Sequence, residues 1–288
     1  MAMKIVHYPH PALRHQARPL TCIDKKLHLH VGAMWDAMYE AKGLGLAATQ
    51  VALPYQLLLI NITGDPTQKD REEVYVNPVI VERKGTLDGE EGCLSFPGLF
   101  QKVRRAKTIT VQAYNLKGEA VEVAASDLAS RAWQHEIDHL NGVLFIDKMG
   151  MIAKLAARSS VKTFERDFRR AQERGEIPPD IELKKLLAAL EAQEDGLAAA
   201  QAADDEMVRK AWERSRGQCE CAHQSCSHPL HPHGKPLSWD DRDKANSAHG
   251  WGVYKASTSA NNSADNYQIL CHECLERRGM NGQQQVVA

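Results

Sequence analysis

Gln134-His135-Glu136-Ile137-Asp138-His139 is the stretch from which the rest of this chain is best read. On an α-helix, residues four apart sit one above the other, so His135 and His139 present two imidazoles to one ion while Glu136 lies beside them. That arrangement suits a metal-activated water with a carboxylate to move its protons. The plain alternative is a pair of surface histidines. A helix is expected here because Ser126 or Asp127 can cap it, Trp133, Ile137 and Leu140 form an apolar stripe, and Gly142 can close it.

Two histidines do not complete a site, and two upstream stretches bear on what would. Glu91-Gly92-Cys93-Leu94-Ser95 carries a lone cysteine. Its thiolate would make a three-ligand centre with one position open for water, although a buried thiol is a common fate of cysteine. Gly43-Leu44-Gly45-Leu46-Ala47-Ala48-Thr49-Gln50 is a glycine-flanked loop, open to readings as a packing element or a weak phosphate cradle. No Gly-Lys-Ser/Thr follows it, which counts against phosphate.

Around these stretches the first half of the chain reads as α+β. Residues 57–61 (LLLIN), 73–81 (EVYVNPVIV), 108–115 (TITVQAYN) and 119–124 (EAVEVA) are short, rich in β-branched residues and bounded by Gly, Asp, Pro or Lys, the pattern of strands. An earlier helix is predicted from Leu27, Val31, Met34, Met38 and Ala41, with Gly43 as its C-terminal cap. Strands clustered between helices give an α+β layout.

GLGLAATQ, EGCLS and QHEIDH, in this order, resemble the three signature motifs of bacterial peptide deformylases. The resemblance covers about residues 3–150, including Pro11-Ala12-Leu13-Arg14 and residues 141–147 (NGVLFID). It implies mixed antiparallel strands around a central metal-binding helix. It further implies that Cys93, His135 and His139 hold the metal, and that Glu136 takes a proton from the bound water and returns it to the departing amine. The side-chain amide of Gln50 and the backbone N–H of Leu94 would face the developing oxyanion. Gly45 would let an extended peptide lie against the loop as an added strand. The substrate would be the formyl-methionine end of nascent chains. Thiolate and imidazole suit zinc, iron, nickel or cobalt alike; Fe(2+) is carried over from the family. The sequence departs from the family pattern at Phe96-Pro97-Gly98-Leu99-Phe100, apolar where many members place polar residues along the cleft.

The expected organisation is a catalytic domain at 1–150, a basic helix and helical linker at 151–210, and a cysteine-rich module at 211–288. Residues 154–174 carry Lys154, Arg158, Lys162, Arg166, Arg169, Arg170 and Arg174 against Glu165, Asp167 and Glu173. This is either a solvated face or a surface that docks on ribosomal RNA phosphates. Pro178 and Pro179 must interrupt it, and a further helix is expected over 181–210, or a hairpin broken near Asp195-Gly196. Cys219, Cys221, Cys226, Cys271 and Cys274 crowd the tail, with spacing that suits a structural Zn(2+); disulfides are the alternative. Asn266 to Cys274 resembles the treble-clef region of HNH nucleases, but residues 251–266 lack the histidines such nucleases use, so a non-catalytic zinc module is expected. The tract 228–237 (HPLHPHGKPL) reads as a loop, with metal binding the alternative.

With 36 basic and 37 acidic residues among 288 and a net charge of −1, no global field draws the chain to nucleic acid or an anionic membrane. No secretory signal or spanning segment is visible, so a soluble cytoplasmic protein is expected. Two competing functions remain at this level: a zinc-dependent nucleic-acid binder with a vestigial hydrolase half, and a general metallopeptidase.

Overall fold

A computed structural model describes residues 3–216, 251–255 and 267–271, giving only the backbone for 194–205, 251–255, 267 and 271. The chain forms two compact units, Met1–Asp195 and Gly196–Ala288.

The first unit is organised by a strand that is apolar on both faces. β2 (Leu57–Ile60) is buried along its whole length, and side chains alternate across a strand. Leu57 and Leu59 therefore join a core with Leu27, Val31, Met34 and Met38 of α1 (Lys25–Glu40). Leu58 and Ile60 join a second core with Trp133, Ile137 and Leu140 of α2 (Asp127–Leu140). The two helices thus cover opposite faces of a five-stranded antiparallel sheet, ordered β1 (Gly45–Ala47), β2, β3 (Glu73–Lys84), β6 (Thr108–Tyr114) and β7 (Ala120–Ser126). β1 is an edge strand. Pro78 has no N–H to donate, and the β3–β6 ladder shifts register between Val76 and Val79.

β4 (Leu87–Cys93) and β5 (Phe96–Arg105) form a separate two-stranded sheet. Phe96, Leu99 and Val103 of this hairpin pack with Leu13, Leu144, Phe145 and Ala157 into a third core. That core gathers the turn at Pro11–Arg14, α3 (Phe145–Lys148) and α4 (Met151–Glu173). Arg14, from the PALR stretch, donates to both carboxylate oxygens of Asp147 in the NGVLFID stretch.

The helix ends differ in detail from expectation. α1 closes with Lys42, at φ 58°, in the left-handed position, while Gly43 N–H reaches back to Met38 O at 2.9 Å. Gly43 is needed instead for space: a Cβ there would lie 2.6 Å from Leu94 Cδ1. Ser126 occupies the N-cap of α2 without a side-chain capping bond. Strand β7 turns straight into the helix, with Asp127 at φ 52° and its N–H donating to Lys107 O. At the other end Gly142, φ 69°, caps α2 as expected; its N–H donates to His139 O and that of Val143 to Asp138 O.

The two prolines separate α4 from α5 (Asp180–Ser215), which continues through Asp195-Gly196 as one helix, so no hairpin forms there. In the second unit Val208 and Ala211 are buried with Ile269. Ile269 lies on β9 (Tyr267–Cys271), which pairs antiparallel with β8 (Trp251–Lys255). Cys219, Cys221, Cys226, Cys274 and the tract 228–237 lie outside the described residues, and the side chain of Cys271 is not described. Among the described residues, no helix is long and apolar enough to cross a membrane.

Candidate metal centre

α2 docks through its own polar residues. Gln134 mates with the backbone of Ala106, accepting from its N–H and donating to its carbonyl, both at 3.0 Å, and the Ser130 hydroxyl adds a bond to the same carbonyl. With the helix thus fixed against the β5–β6 turn, His135 and His139 project to one point. Cys93, at the end of β4, meets them there: Sγ lies 3.2 Å from His139 Nε2, which lies 3.2 Å from His135 Nε2. The three donor atoms all fall within 4.8 Å of one another. Burial and the positive charges of His135 and Arg105 hold His139 well below the ordinary histidine value, so its ring is neutral. Burial also disfavours charge on His135, but the charge of Cys93 and the bonds from Cys93 and Glu91 outweigh it and hold a proton there. An ion entering the centre must displace that proton. The donor set of one sulfur and two imidazole nitrogens fits zinc, iron, nickel or cobalt.

Glu136 follows His135 and is 4% exposed, with Oε2 buried and without a hydrogen-bond partner. Burial pushes its carboxyl up to about 7. Gly45 explains how it fits: a Cβ at that position would stand 2.7 Å from Glu136 Oε1. Gln50 is anchored by Oε1, which accepts from Ala47 N–H at 2.9 Å, and its Nε2 faces Cys93 Sγ at 3.7 Å and Ser95 Oγ at 3.4 Å. Gly45, Gln50, Cys93, Leu94, His135 and Glu136 all line one cleft of about 700 Å³. Of the apolar stretch 96–100, Phe96 and Leu99 turn into the core, and only Pro97, Gly98 and Phe100 face the cleft.

Four charged residues without a task in the motif chemistry, Glu91, Arg105, Arg131 and Asp138, form one network beside the donors. Glu91 is 8% exposed and accepts from His135 Nδ1 at 2.7 Å, from Arg105 at 2.6 and 3.1 Å, and from Arg131 at 3.1 Å. Arg105 also pairs with Asp138, on the turn between the two histidines. Glu91 and Asp138 sit inside the motifs and were open to notice; the buried arginines stand outside them and carry no local signal. By accepting from Nδ1, Glu91 fixes the ring so that Nε2 points at the other two donors.

Burial alone would raise the Glu91 carboxyl, but the bonds and charges of His135 and Arg105 bring it down to about 2 from 4.5. A depressed folded-state value means stability that is present above the unfolded value and lost as pH falls through the folded one. Acid unfolding should therefore show a loss on the order of 3 kcal/mol between pH 4.5 and 2 from this group. Glu91→Gln should flatten that limb in urea titrations at stepped pH; an unchanged limb would contradict the assignment.

Comparison with known proteins points the same way. A sequence model described as polypeptide deformylase matches residues 2–154. A peptide deformylase of Rhodopirellula baltica is 37% identical over 198 residues, covering 68% of this chain and 97% of that protein. One from Acidobacterium capsulatum is 42% identical over 166 residues, covering 58% of this chain and 97% of that one. Among solved structures, a peptide deformylase from Legionella pneumophila aligns with TM-score 0.54 and 38% identity over 59% of this chain and 99% of its own. That from Thermus thermophilus aligns with TM-score 0.52 and 34% identity over 57% and 97%. Motifs, fold and relatives agree, and the chain belongs to the polypeptide deformylase family.

Proposed function

We infer that this protein is a metal-dependent amidohydrolase that removes the N-formyl group from the formyl-methionine of newly made polypeptides. The observation that carries the inference is the convergence of Cys93 Sγ and two imidazole Nε2 atoms in a cleft, beside a buried carboxylate oxygen with no partner. Cys93, His135 and His139 hold a divalent ion, which when bound supplies a water acidic enough to act as nucleophile at neutral pH. Glu136 accepts that water's proton and delivers it to the amine nitrogen as the formyl C–N bond breaks. Its burial, which disfavours the charged form, suits it to take up a proton and pass it on. Gln50 Nε2 and the N–H of Leu94 stabilise the negative oxygen of the tetrahedral species. β1 has β2 on one side only, which leaves an edge for the extended peptide to pair with. Iron(II) is the ion carried over from family resemblance; the donor set itself accommodates zinc, nickel or cobalt.

Two further assignments rest on sequence. Cys271-x-x-Cys274, with Cys221 and Cys226 or with Cys219 and Cys221, forms a closed four-ligand structural zinc site in a non-catalytic module. The basic helix α4 docks on ribosomal RNA, where the enzyme meets its substrates as they emerge. In support, Arg158, Lys162 and Arg170 are exposed and make no ion pair among the described residues, whereas Arg169 and Arg174 are partly neutralised by Asp180 and Glu176.

The full chain, loaded anaerobically with iron, should release formate from a formyl-Met tripeptide and leave the unformylated peptide intact. Glu136→Gln should lower kcat/KM by roughly 10²–10⁴-fold while the metal is retained. Cleavage of the unformylated peptide would instead indicate a general peptidase. Elemental analysis of protein purified without air should give one iron-type ion and one zinc per chain, and Cys271→Ser with Cys274→Ser should remove the zinc alone. Ribosome co-sedimentation should weaken with salt and fall when Arg158, Lys162 and Arg170 are replaced by glutamine; binding that survives the triple change excludes α4 as the contact.

A further inference from the structure

The sulfur donor and the histidine donors belong to separate pieces of the fold. Cys93 ends a two-stranded hairpin that shares no ladder with the five-stranded sheet, whereas His135 and His139 ride on α2. Something must fix the distance between hairpin and helix to within a few tenths of an ångström, because a metal centre tolerates little more. We propose that Arg131 is the positioning residue that clamps the thiolate-bearing hairpin onto the histidine helix and thereby governs how long the centre keeps its ion. The proposal rests on the metal centre assigned above.

Arg131 precedes His135 by four residues, so the two side chains share a face of α2. Its guanidinium, 9% exposed, donates from Nη1 to Leu87 O at 3.2 Å and Val103 O at 3.1 Å. From Nη2 it donates to Gly89 O at 2.9 Å and to Glu91 Oε2 at 3.1 Å. Leu87 and Gly89 belong to β4 and Val103 to β5, and Gly89 and Val103 stand opposite each other in the ladder. A single planar group therefore grips both strands of the hairpin. Three of its four acceptors are uncharged carbonyls, and Glu91 already has two bonds from Arg105, so the task is geometric and not one of neutralisation. Gly89 leaves room for it: a Cβ there would lie 3.1 Å from Arg131 Cζ. Glu91 and Cys93 follow two and four residues after Gly89, so a hairpin freed from Arg131 carries the sulfur away from the imidazoles. Lysine keeps the charge but has no planar fork to span two strands.

The test uses the cobalt(II)-loaded full chain, with the Cys93→Ser protein subtracted to isolate the band of the sulfur–cobalt bond from any cobalt in the tail. Arg131→Met should weaken or shift that band and release cobalt to a chelator about tenfold faster or more, and Arg131→Lys should behave alike. Gly89→Ala, which crowds the guanidinium without removing it, should accelerate release by a smaller factor, and it decides the matter if Arg131→Met does not fold. Wild-type release from Arg131→Lys would show that charge alone is needed and overturn the clamp. A lowered melting temperature of the metal-free variant with unchanged band and release would overturn it too, as would unchanged release from Gly89→Ala. If Cys93→Ser itself leaves the spectrum unaltered, the metal centre falls, a result distinct from failure of the clamp.

Discussion

Glu91 is the joint at which the active half of this protein is assembled. Its two oxygens receive a histidine of the metal helix, an arginine of the hairpin and an arginine of the metal helix, so one buried charge is bonded to both carriers of the donor atoms. A buried carboxylate with fewer partners would bear a desolvation cost of several kcal/mol; with four bonds it is satisfied and pinned. The next charge outward, Asp138, receives Arg105 in turn. Before any ion enters, these two acids thus face Arg105, Arg131 and the protonated His135. Once His135 gives up its Nε2 proton, the ion meets donors already in position, because Glu91 holds the remaining proton on Nδ1.

The main sheet contributes differently. Because β2 is apolar on both faces, α1 and α2 are held on opposite sides of it, and the first turn of the cleft is fixed by the short strand β1 beside it. Thr49, just after β1, donates to His139 O at 3.2 Å and ties that loop to the end of the metal helix. Glycine at 45 is demanded by the carboxylate behind it as much as by any peptide in front. Glu136 occupies space that every other residue type at 45 would fill with a Cβ.

Much of this was legible in the chain. The four runs at 57–61, 73–81, 108–115 and 119–124 became β2, β3, β6 and β7, and the histidine stretch became α2 with its apolar stripe buried; β2 is a short continuous apolar run buried on both faces, whereas α2 shows the helical period of one buried face. The hairpin that carries Cys93 was not legible as strands. Residues 87–93 (LDGEEGC) hold two glycines and three acids, a composition that disfavours strand, and what holds them extended is tertiary: Arg131 on their carbonyls and Arg105 on Glu91. Cys93, His135 and His139, whose donor atoms converge, could be named from the motifs, but the residues that aim them could not, since Arg105 and Arg131 come next to Glu91 only through folding. The helix expected over 181–210 did form, and of its two readings the unbroken one holds, since one glycine costs only about 1 kcal/mol among residues that favour helix.

β1 is three residues long. Under the proposed pairing, a visiting chain is gripped by hydrogen bonds to its backbone over no more than that span, at about 3.4 Å per residue. On that reading a tripeptide and a protein several hundred residues long look alike to β1, and any discrimination between clients comes from outside this strand.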